Sequence, residues 1–121
     1  YWNGRPCRVS SAETLSGASI ACGGHATAEA TGRMDGILRL AKQAQAMRTW
    51  CDAYGHALVA TGRIEAMLDP KVALWDISAM RRIVEEAGGR ATDFNGAAFS
   101  PTEMISSNGL LHQQIVEAFQ R

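Results

Sequence analysis

Hydrophobic and polar positions along this chain switch between a helical period and an extended one, and the switches mark its elements. Met34, Ile37, Leu38 and Ala41 recur at helical spacing, which predicts an amphipathic helix over residues 31–46, slightly weakened by Gly36 inside it. Over 77–87, Ile77, Met80, Ile83, Val84 and Ala87 share one face. Arg81, Arg82, Glu85 and Glu86 lie mostly on the other face, and Gly88-Gly89 ends the helix. A shorter helix is expected over 53–61, with Gly62 placed where a left-handed cap favours glycine. The last, over 110–119, turns Leu111, Ile115, Val116 and Phe119 inward.

Between the helices lie short extended candidates. They cover residues 6–10, entered through Asn3-Gly4, and 18–22, stopped by Gly23-Gly24. Others cover 47–51, 63–68 with Ile64, Ala66 and Leu68 on one side, 90–94, and 104–107. Asn95-Gly96 is a tight-turn signal. Strands and helices therefore alternate. That predicts a single α/β layered domain over residues 1–121, with a mixed, largely parallel sheet flanked by helices. No internal repeat, low-complexity run or linker interrupts it.

Composition narrows the class. A hydrophobic share of 46% with 20% charged residues is that of a globular domain. Twelve basic residues balance twelve acidic ones, so charge gives no reason to expect a nucleic-acid or membrane partner. No apolar run approaches the ~20 residues of a membrane helix, and no signal-peptide pattern is visible; a cytoplasmic location is expected. Cys7, Cys22 and Cys51 are odd in number and contain no C-x-x-C pair, which favours free thiols in a reducing compartment. His25, His56 and His112 stand at no metal-ligand spacing from a cysteine, so a zinc site is not expected.

Two predicted strand-to-helix junctions share one design. Trp50-Cys51-Asp52 precedes one helix and Trp75-Asp76 precedes another, while Asp69-Pro70 ends the strand between them. In open α/β sheets, ligands bind beyond the carboxyl ends of strands, where helix N-termini also point. Carboxylates at such an edge can hold a divalent cation bridging to phosphate. Each has a plainer explanation: an Asp N-cap is worth ~1 kcal/mol without any ligand, and Asp-Pro commonly marks a turn. Three carboxylates converging on one edge favour the ligand. Trp50 and Trp75 are expected as core or crevice-wall residues, His56 as a packing or surface residue, and Cys51 as an inert thiol.

The run from Cys51-Asp52-Ala53-Tyr54-Gly55-His56 through Leu58-Val59-Ala60-Thr61-Gly62-Arg63 to Glu65-Ala66-Met67-Leu68-Asp69-Pro70 carries more. It is similar to the pattern G-D-x-Y-G-x-x-L-V-A-T-G-R-x-E-x-M-x-D-P. Trp75-Asp76-Ile77-Ser78-Ala79 with Glu86-Ala87-Gly88-Gly89 is similar to W-D-x-[AS]-A followed by E-A-G-G. Trp2-Asn3-Gly4-Arg5-Pro6 and Ser107-Asn108-Gly109 with Leu111-His112 fit as well. Together they resemble the inositol monophosphatase superfamily, and within it the histidinol-phosphate phosphatases.

The resemblance implies a sugar-phosphatase-like αβαβα fold, of which this chain would be the C-terminal part. It implies a Mg²⁺-dependent phosphomonoester hydrolase of histidine biosynthesis, acting on L-histidinol phosphate, a small phosphorylated metabolite. Asp76 matches a magnesium ligand, while Asp52 and Asp69 match positions facing the substrate's alcohol portion. The position of Asp52 is usually small and uncharged in inositol phosphatases, and that of Asp69 is a Glu on inositol hydroxyls. An extra carboxylate suits a substrate carrying an amine and an imidazole. The family also suggests a homodimer.

Departures accompany the match. Cys51 stands where the pattern has Gly, and Met80 where inositol phosphatases prefer Gly. The D-P-[IL]-D-[GS]-T element and the acidic residue of an N-terminal helix, which complete the metal site, are absent. The resemblance thus leaves out the N-terminal metal-binding half. Two alternatives follow: an inositol-1-phosphate or broad sugar-phosphate phosphatase, and a half-domain that is non-catalytic in isolation.

Overall fold

A computed structural model describes residues 1–50 and 52–120. Five strands form one sheet: β1 (Ser19–Cys22), β2 (Ala46–Thr49), β3 (Ala66–Asp69), β4 (Arg90–Thr92) and β5 (Met104–Ser107). They are ordered β2-β1-β3-β5-β4. β1 pairs parallel with β2 and β3, whereas β5 pairs antiparallel with β3 and β4. Four strands therefore point one way and β5 alone runs back. The sheet is mixed and largely parallel in direction, as the sequence pattern predicts.

Helices cover both faces. Ile20, Cys22, Ala66, Leu68 and Ile105 pack with residues of α1 (His25–Ala30), α2 (Met34–Ala41) and α5 (His112–Glu117). On the other face, Ala21 and Met67 meet Leu58 and Val59 of α3 (Asp52–Ala60) and Val84 of α4 (Leu74–Glu86). Ala91 and Met104 meet Ile77 and Met80 of α4. Burial on two sides explains why all four residues of β3 are buried, where the sequence suggests alternation. Gly55 lets α3 lie close: a Cβ there would collide with the Met67 side chain.

Several boundaries differ from expectation for identifiable reasons. Residues 6–10 are not a strand; Val9 donates one backbone bond to Ala87 (3.0 Å), and Cys7 and Val9 pack against the core at the ends of α3 and α4. The helix expected over 31–46 is broken. Gly32 takes φ +72° after α1, and α2 stops at Ala41 so that the N–H groups of Gln45 and Ala46 can reach the Ala18 carbonyl beside β1. Helix α4 starts three residues before the predicted Ile77. Its phase turns Ile77, Met80 and Val84 inward, leaving Trp75 83% exposed; Trp50, before α3, is 41% exposed. Neither tryptophan is a core residue.

Candidate functional site

The order β2-β1-β3 places the topological switch at β1 and β3. The chain leaves β1 over one face of the sheet to reach β2, then crosses the other face through α3 to reach β3. Ligands in such sheets lie where the connections diverge, beyond the strand C-termini. A cleft of about 160 Å³ is found there, lined by Gly23, Gly24, Thr27, Asp52, Asp69, Pro70 and Lys71. Gly23 donates its N–H to the Leu68 carbonyl (2.9 Å), which ties the loop after β1 to the end of β3. A larger groove of about 440 Å³, beside Arg39, Lys42 and Glu117, lies away from these strand ends.

Two predicted carboxylates meet in the cleft. Asp69 ends β3 and is only 8% exposed, and strand alternation puts it on the same face as Met67, beneath α3. Its Oδ1 lies 3.5 Å from where a Cβ on Gly23 would stand, on the cleft side. Asp52, which also lines the cleft, opens α3 with φ +59°, a left-handed conformation that Asp tolerates better than most residues. Backbone strain of this kind concentrates at ligand sites.

Asp76 is not among the lining residues of this cleft. It is exposed in the first turn of α4, and its Oδ2 accepts the Ala73 N–H at 2.9 Å. That is the second half of a capping box, with Ala73 as N-cap, so the carboxylate does its capping from N3. One oxygen is thereby engaged. Magnesium demands near-octahedral oxygen coordination and usually takes more than one carboxylate. Among the described residues, no group of three His, Cys, Asp or Glu side chains could hold a metal ion. The described residues do not fit magnesium by themselves.

The neighbouring thiol is inert. Cys22, at the end of β1, is free and buried, and burial pushes its thiol pKa up. Cys51 lies outside the described residues. Sequence reasoning passed over Lys71 and Thr27, and read Gly23-Gly24 only as a strand stop. It also placed His56 at the surface or in packing. His56 is 1% exposed, with Nδ1 2.7 Å from Ser106 Oγ and Nε2 3.6 Å from Asp69 Oδ2. Its spacing of four residues from Asp52 on one helix was the available signal.

Comparison with known proteins agrees with this architecture. The profile of the inositol monophosphatase family matches residues 1–121. A histidinol-phosphatase of Streptomyces coelicolor is 35% identical over 109 residues, covering 89% of this chain and 41% of that protein. A fructose-1,6-bisphosphatase/inositol-1-monophosphatase of Thermotoga maritima is 35% identical over 121 residues, covering 97% and 45%. A solved IMPase structure from Thermotoga maritima superposes with TM-score 0.87 at 30% identity, over 98% of this chain and 46% of that one. The chain thus spans less than half the length of these relatives. By profile, sequence and fold, it belongs to the inositol monophosphatase family.

Proposed function

We propose that this chain supplies the alcohol-recognising side of a Mg²⁺-dependent phosphomonoesterase whose substrate is L-histidinol phosphate. The observation that carries the reading is that Asp52 and Asp69 line one cleft at the strand C-termini. Two carboxylates, one of them nearly buried, suit an alcohol bearing an ammonium and an imidazole better than a neutral polyol. A charge-assisted hydrogen bond is roughly twice as strong as a neutral one, and a polyol would leave a buried carboxylate without a cationic partner. The names of several relatives, histidinol-phosphatase among them, support the same choice.

In this reading Asp52 and Asp69 bind and orient the alcohol, leaving its phosphate ester to face the rest of the full-length protein. Asp76 would supply one carboxylate to a metal site completed by residues outside these 121. Magnesium, when bound, supplies charge neutralisation and an activated water. The isolated chain is accordingly expected to release no phosphate. A cytoplasmic homodimer belongs to the same proposal. The printed name of the Thermotoga maritima relative favours a second reading, a broader inositol- and sugar-phosphate phosphatase.

Phosphate release by the full-length protein from L-histidinol phosphate and from inositol 1-phosphate decides between them. Asp76→Asn is expected to abolish magnesium-dependent turnover of both. Asp52→Ala is expected to raise KM for histidinol phosphate by roughly tenfold or more, the size of a lost charge-assisted contact, with inositol 1-phosphate little affected. Near-normal turnover by Asp76→Asn would sink the metal role. Equal losses on both substrates would sink the specificity.

A further inference from the structure

His56 is buried, yet one of its nitrogens is unsatisfied. Among the described residues, Nε2 has no hydrogen-bond partner. Leaving a polar atom dry costs on the order of 1–3 kcal/mol, so one that persists calls for a reason. Its surroundings supply one. The sheet register sets Ser106 opposite Met67, and alternation along β3 and β5 turns Met67, Asp69 and Ser106 to the face covered by α3. His56 thus stands between Ser106, 2.7 Å from Nδ1, and Asp69, whose Oδ2 is 3.6 Å from Nε2.

The two oxygens of Asp69 divide the work. Oδ2 faces the imidazole and Oδ1 faces Gly23 on the cleft side. Electrostatics selects the tautomer. A lone pair on Nε2 aimed at a carboxylate would be repelled, whereas Nε2–H is attracted. The proton therefore sits on Nε2, and Nδ1 accepts the Ser106 hydroxyl. At 3.6 Å the Nε2–H and Oδ2 attract each other without a formed hydrogen bond. Contacts of this kind often tighten once a ligand is bound.

We propose that His56, anchored at Nδ1 by Ser106, is a positioning residue that holds Asp69 from behind, so that Oδ1 is presented to the cationic part of the substrate. This rests on the role given to Asp69 under Proposed function. His56 touches no substrate; it acts through the carboxylate.

A double-mutant cycle in the full-length protein tests it, with L-histidinol phosphate as substrate. His56→Phe is expected to raise KM by roughly tenfold while kcat is kept. His56→Gln, which restores an N–H donor, recovers most of the loss. In an Asp69→Asn background His56→Phe adds nothing further, because the group it positions is gone. Multiplying effects, or a loss in kcat alone, would overturn the proposal. Should His56→Phe not fold, Ser106→Ala takes its place in the cycle with the same expectation.

A second readout is independent of any substrate. The ring ¹⁵N resonance of His56 Nε2 should move on Asp69→Asn while those of His112 stay put. An unmoved His56 signal overturns the proposal even if another substrate proves correct. A moved signal with unchanged KM for histidinol phosphate supports the coupling and rejects only that substrate.

Discussion

Two histidines, His56 and His112, are each 1% exposed, and each meets a serine of β5. Ser106 and Ser107 are adjacent, so the pleat sends them to opposite faces of the sheet. On the α5 face the network is closed. Gly109 N–H donates to Ser107 Oγ at 3.1 Å, and Ser107 Oγ lies 2.7 Å from His112 Nδ1. Nε2 lies 2.7 Å from Thr92 Oγ1, whose hydroxyl donates to the Asp93 carbonyl at 2.8 Å. With its proton so committed, Thr92 accepts Nε2–H, and Nδ1 accepts from Ser107. Every position is used and none remains for a second proton. On the α3 face the corresponding chain stops at His56 Nε2, pointed at a cleft carboxylate. A histidine with both nitrogens satisfied serves the fold; one left open toward a site is available to that site.

The sharpest way to break this contrast is to remove each ring. His112→Leu leaves two buried hydroxyls short of a partner and is expected to cost roughly 2–4 kcal/mol. His56→Leu strands Ser106 alone and also removes an unsatisfied nitrogen, so it should cost only about 1 kcal/mol. Its larger effect should appear in substrate KM. Urea denaturation of both variants of the full-length protein checks the stabilities. Equal losses would mean that the open histidine is as structural as the closed one.

A pH titration gives a somewhat smaller effect. Burial, and then the nearby charge of Arg90, lowers the His112 pKa from 6.5 to about 4. Above pH ~6.5 neither folded nor unfolded chain protonates this ring, so its contribution is intact. As pH falls below 6.5 the unfolded chain binds a proton that the folded one refuses, and stability declines until about pH 4. At ~1.4 kcal/mol per pH unit, the loss by about pH 5 is on the order of 2 kcal/mol. Carboxylates titrate in part of the same window, so the quantity to measure is the difference in slope between wild type and His112→Leu. Identical slopes would refute the closed network.

The sequence carried the alternation of elements well, because each switch in hydrophobic period has a turn residue beside it. Strand 104–107 was placed to the residue. What it could not carry was partnership. Arg8 between Cys7 and Val9 has the look of a strand, yet no strand lies alongside to accept its bonds. The helix over 31–46 turns Met34 and Ile37 toward the core as expected, but Leu38 and Ala41 are exposed and Leu40 is buried in their stead, and where it ends is dictated by the pairing of β2 with β1. Asp52 and Asp69 were legible because strand ends and a specific motif mark them, and the cleft unites them. For His56 packing was one of the expected readings, but its partners were not legible, because a lone histidine on a helix gives no sign of what lies across the sheet. Trp75 misled because its size suggested burial. The phase of α4 is fixed instead by Ile77, Met80 and Val84.

The smallest expected effect separates the two serines. Ser107→Ala deprives His112 Nδ1 of a donor and the Gly109 N–H of an acceptor, two buried or half-buried groups. Ser106→Ala deprives only His56 Nδ1. At about 1 kcal/mol per stranded group, Ser107→Ala should lower stability by about 2 kcal/mol and Ser106→Ala by about half as much. The tautomer supplies the finer distinction. Without Ser107, the Thr92 hydroxyl still commits His112 to Nε2–H, so its ring ¹⁵N pattern should persist. Without Ser106, the attraction of Asp69 should still hold the proton on His56 Nε2, while Nδ1 loses its donor, so only the Nδ1 resonance is expected to move. A proton that leaves Nε2 in Ser106→Ala would mean that the serine, rather than Asp69, selects the tautomer.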